Sequence, residues 1–64
     1  MSTTLDLAAF RRLYRGYQTS DRPQANCAAR RINARAAGFV VTAERVPGTA
    51  RPLFTLMYSL KEHP

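Results

Sequence analysis

The chain predicts an α+β fold, two helices followed by an antiparallel β-hairpin. Three observations carry that prediction. Apolar residues recur at three- and four-residue steps as far as residue 37. After Gly38 the period changes to two. A loop containing Pro47-Gly48 then divides the alternating stretch into two strands. At 64 residues the expectation is a single domain with one thin core, burying about 60% of its unfolded surface and marginal as a monomer.

The first helix is expected over residues 5–17. Leu7, Phe10, Leu13, Tyr14 and Tyr17 fall on one stripe. Thr3 is the expected N-cap, with Asp6 at the capping-box position, where its charge also favours the helix start. Gly16 is a natural stop. Residues 17–24 (YQTSDRPQ) read as a turn, and Asp21 or Ser20 caps a second helix over residues 22–37, with Pro23 tolerated in its first turn. With Ile32 at the centre of the inward face, Ala25, Ala28, Ala29 and Ala36 fall within about 60° of it, so that face is mostly alanine. Asn26, Arg30 and Asn33 are expected to point outward, with Gln24, Arg31 and Arg35 on a flank.

Beyond Gly38, Phe39, Val41 and Ala43 alternate with Val40, Thr42 and Glu44, predicting a strand over residues 39–46. Phe54, Leu56, Tyr58 and Leu60 alternate with Thr55, Met57 and Ser59, predicting a second over residues 53–60. A lone hairpin is marginal in water, so these strands need a helix against them.

Charge is the most informative quantity. The net charge is +6, and nine of the ten cations are arginine. Residues 11–35 hold seven arginines (Arg11, Arg12, Arg15, Arg22, Arg30, Arg31, Arg35) against Asp21 alone, which accounts for the whole excess. Codon bias in a GC-rich genome explains a preference for Arg over Lys but not this clustering. A basic segment of this kind suits phosphate or an acidic partner, and guanidinium pairs bidentately with either.

The catalytic inventory is nearly empty. The four acids are scattered, and the one histidine, His63, is penultimate, far from the single cysteine, Cys27. No spacing suits a metal, and no glycine-rich loop is present to cradle phosphate. The expectation is a non-enzymatic binding protein without cofactor or metal. One cysteine allows no internal disulfide, which suits a cytoplasmic setting. No apolar run approaches the ~20 residues needed to span a membrane, and the first residues do not read as a signal peptide.

AARRINARAAGFVVTAERV (residues 28–46) followed by ARPLFTLMYSL (residues 50–60) resembles the small phage-borne winged helix-turn-helix proteins. In these an Ala-Ala-Arg-Ile-type recognition helix runs through a glycine turn into a strand, a wing and an aromatic-x-Leu strand. The resemblance covers about half of the chain and implies a minimal winged-helix-like fold. Double-stranded DNA is then the first expected partner, in the cytoplasm of a bacterial host, with a role in transcription regulation. It places Gln24, Asn26, Arg30 and Asn33 on the groove side and Arg31, Arg35 and the wing-tip Arg51 at phosphates, with Arg11, Arg12 and Arg15 near phosphates on the first helix. The chain departs from the family between its helices, where residues 17–23 leave room for a turn but not for the usual short helix. An alternative keeps the fold and changes the partner. A phage effector of the anti-CRISPR kind uses the same cations to dock on an acidic surface of a host nucleic-acid complex. There Tyr14 and Tyr17 are either contact residues or, as their spacing favours, core. The small size is also compatible with a homodimer.

Overall fold

The computed structural model describes residues 4–61. It is α+β, with elements in the order α1 (Leu7–Leu13), α2 (Arg22–Asn33), β1 (Phe39–Arg45) and β2 (Phe54–Leu60).

Both helices are shorter than their apolar periodicity predicts, because the backbone flanking them is used elsewhere. The Leu5 N–H donates to the Arg35 carbonyl at 2.8 Å, and the Leu5 carbonyl accepts from the Ala37 N–H at 3.0 Å. This short parallel bridge keeps Leu5 extended and ends α2 four residues before the predicted residue 37. The N-cap of α1 is therefore Asp6, whose carboxylate accepts from the Ala9 N–H at 2.7 Å. Asp6 is not the third helical residue of a capping box, and Thr3 lies outside the described residues. At its far end α1 closes with the Tyr14 N–H on the Phe10 carbonyl, and Gly16, at φ 71°, turns the chain. The start of α2 is as predicted. Asp21 caps it through the Gln24 N–H at 3.1 Å, and Pro23 occupies the first turn. Gly38, at φ 84°, sets the direction of β1.

The strands pair antiparallel, from Phe39 opposite Leu60 to Arg45 opposite Phe54. Each is one residue shorter than predicted at the loop end. Val46 and Leu53 still bond across the neck of the loop at 2.8 Å. One face of the hairpin packs on the helices. Leu5, Phe10, Ala29, Ile32, Phe39 and Val41 form the core, with Leu7, Tyr14, Ala36 and Leu56 against it. The alanine face of α2 is inward as expected, with Ala25 fully buried. Phe10 joins the layers, its ring 5.4 Å from Phe39 and 6.1 Å from Tyr58.

Leu13, expected in the buried stripe, is 67% exposed. Around the helix axis Leu7 and Tyr14 lie about 60° and 40° to one side of Phe10, and Leu13 about 60° to the other. A narrow hairpin covers only the side that Phe10 shares with Tyr14. Tyr14 and Tyr17 are half-buried and packed edge to face, 5.8 Å apart; Tyr14 packs against the core as its spacing favours, whereas Tyr17 reaches it only through Tyr14.

Candidate nucleic-acid interface

The expected site residues are distributed over several surfaces. Asn26 and Arg30 are exposed on α2. Asn26 lines a hollow between α2 and the hairpin together with Arg22, Glu44, Arg45, Pro52 and Phe54. The steps from Arg22 to Asn26 to Arg30 are four residues each, which keeps all three side chains within about 80° of one another along the helix. Arg51 is exposed in the loop next to Pro52. The seam between α2 and the hairpin is therefore basic from both sides, with Arg22 from the helix and Arg45 from the strand.

Asn33 is a correction. It is half-buried rather than outward, and both ends of its carboxamide are engaged. Nδ2 donates to the Val41 carbonyl at 2.8 Å, and Oδ1 accepts from the Val41 N–H at 2.7 Å. The side chain stands in for a neighbouring strand at the outer edge of β1. The reason is angular: Asn33 lies about 100° from Ile32, which turns it toward the hairpin instead of away from the core. It ties α2 to β1.

Gln24 is exposed, but its carbonyl oxygen accepts from the Thr19 hydroxyl at 3.3 Å, close to the helix cap. Arg31 lines a different hollow with Tyr14, Tyr17, Gln24 and Cys27, and Arg35 is exposed just past the end of α2. Arg11, Arg12 and Arg15 line a third basin, with Phe10, Tyr14, Leu56 and Tyr58, which shares no residue with the α2–hairpin seam.

The sequence reading left both Arg22 and Arg45 out of the candidate site. Arg22 had a signal, its four-residue spacing from Asn26. Arg45 had one too, since the alternation that turns Phe39, Val41 and Ala43 inward puts Arg45 on the same face, although only the packing of α2 on β1 makes that face a seam. Of the three described carboxylates, Asp6 and Asp21 are committed to helix N-termini, which leaves Glu44.

Among the described residues no three His, Cys, Asp or Glu side chains gather, and no helix is long and apolar enough to cross a membrane. Fold and surface together define a small α+β chain with a basic seam between a helix and a hairpin. It matches no protein-family model, no curated protein and no solved structure.

Proposed function

We propose that the chain is a small non-enzymatic binder of duplex DNA, a minimal winged helix acting as a regulator in a phage or mobile-element setting within the bacterial cytoplasm. The observation that carries the reading is the α2–hairpin seam, with Arg22 and Asn26 on one side and Arg45 on the other, and Arg30 exposed one helical turn beyond Asn26. In this reading α2 meets the major groove, and Asn26 and Arg30 reach base edges. Asn pairs bidentately with adenine and Arg with guanine. Arg22, Arg31, Arg45 and Arg51 hold phosphates and set the register.

The family's usual positioning helix has no counterpart in residues 14–21, which form turns and a short bridge. Thr19 and Phe54 exchange two backbone hydrogen bonds, at 3.0 and 2.8 Å, and the Thr55 hydroxyl donates to the Tyr17 carbonyl at 2.8 Å. These bonds hold the start of α2 against the hairpin and take over the positioning role.

The test is a salt series on duplex binding. Log K should fall linearly with log salt, with a slope of about −0.9 for each phosphate neutralised. Absence of duplex binding at low salt overturns the reading. The same cations would then serve an acidic protein surface, and an Arg22/Arg30→Gln variant would lose that partner instead.

A further inference from the structure

The outer edge of β2 is built to receive another strand. The Val46 N–H donates to the Leu53 carbonyl and the Lys61 N–H to the Gly38 carbonyl. With the register of the hairpin, these bonds fix the alternation of the ladder. Residues 53, 55, 57, 59 and 61 turn their peptide groups toward β1, and Phe54, Leu56, Tyr58 and Leu60 turn theirs to the other edge. Thr19 satisfies both groups of Phe54. Past that bridge no described residue pairs with the backbone of Leu56, Tyr58 or Leu60. The opposite edge, on β1, is closed at its middle by Asn33.

An open edge is a template for pairing, and soluble proteins blunt it with charge, proline or a covering segment. The sequence of β2, FTLMYSL, contains no charged residue, proline or glycine. Its flanks are apolar and open, with Leu60 65%, Met57 55% and Tyr58 41% exposed. Beside this edge Arg11, Arg12 and Arg15 of α1 line a basin floored by Phe10, Leu56 and Tyr58.

We propose that this edge binds an extended acidic segment of another protein. Its main chain pairs with Leu56, Tyr58 and Leu60, and its carboxylates meet Arg11, Arg12 and Arg15. Strand addition derives affinity from the main chain and specificity from alternate side chains, and the three arginines select for acid. A second copy of the chain fits less well. Pairing β2 with itself about a two-fold axis places both α1 helices on one face and brings two arginine trios together. Nucleic acid would satisfy the arginines but leave the strand edge and its apolar flanks unused. The surface is distinct from the α2–hairpin seam, so either assignment stands or falls without the other.

The probe is a short acetylated peptide alternating Glu and Val, followed by fluorescence anisotropy with the full chain at low salt. The expected result is saturable binding that weakens about tenfold with Arg11/Arg12/Arg15→Gln, the sum of three partly exposed ion pairs. N-methylation of alternate peptide amides, or replacement of its Glu by Lys, should abolish binding. Leu60→Pro removes an outward N–H without touching the β1 ladder, so it should weaken binding more than Leu60→Ala while circular dichroism shows both folded. Equal binding of the N-methylated peptide overturns the proposal. So does a β2-dependent dimer in sedimentation, or an arginine-trio variant that loses duplex DNA and keeps the peptide.

Discussion

Asn33 and Arg30, three positions apart on α2, are assigned opposite kinds of work. Asn33 satisfies both polar groups of Val41. Asn33→Ala leaves that half-buried pair without a protein partner and should cost about 1–3 kcal/mol, read as a lower urea midpoint. Asn33→Asp should recover only part of this, because a carboxylate accepts from the Val41 N–H but cannot donate to its carbonyl. Arg30 is exposed, so Arg30→Ala should change stability by less than about 0.5 kcal/mol. If it reads a base edge, duplex affinity should fall by about 1–3 kcal/mol, with relaxed specificity at one position. Paired urea melts and duplex titrations of the two variants separate holding the fold from reading a partner. Unchanged duplex affinity in Arg30→Ala would remove it from the interface.

At the scale of elements, both helices depend on a single aspartate at the start, and the exit from α2 depends on Gly38. Asp21→Ala should cost about 0.5–2 kcal/mol by thermal melt. Since Asp21 starts the helix that carries the basic seam, the same variant should weaken duplex binding under conditions where α2 frays. Gly38→Ala meets no atom within 4 Å of the added carbon. Its whole cost is conformational, since φ is 84° there, and is about 1–2 kcal/mol. A neutral result would show that this turn can relax to a conformation open to other residues. The helix ends are also where apolar periodicity misled. Periodicity extends the helices across residues 5, 14–17 and 34–37, but α1 ends at Leu13, and Leu5, the Arg35 carbonyl and the Ala37 N–H are engaged in the Leu5 bridge. A pattern of side chains does not reveal where the main chain spends its hydrogen bonds.

For the whole molecule, a chain of this size has about 3–10 kcal/mol of stability to lose. Phe10 is the one aromatic of α1 in the core, and its ring meets Tyr14, Phe39 and Tyr58. Phe10→Ala should cost about 3–5 kcal/mol, enough to take most of the fold's stability, visible as a lost or greatly lowered cooperative transition in calorimetry. The hairpin is covered on one side only, so little else compensates. The charge is also a property of the whole. Three surfaces share the arginines.

The sequence by itself determined the order of elements, the strand pairing, the alanine-lined inward face of α2 and the start of that helix, narrowing its cap to Ser20 or Asp21. These follow from local periodicity, turn chemistry and capping, which act over a few residues. It also placed the excess charge in residues 11–35. Only the tertiary structure decided how that charge is divided. α2 packs against β1 and brings Arg45 to Arg22, while α1 rests on the hairpin through Phe10 and carries Arg11, Arg12 and Arg15 to the edge of β2. It likewise turned Asn33 from a candidate contact into a brace, and left Leu56, Tyr58 and Leu60 on an open edge. Each of these outcomes depends on which residues from distant parts of the chain share a surface. That is set by packing one element on another, and no local pattern encodes it.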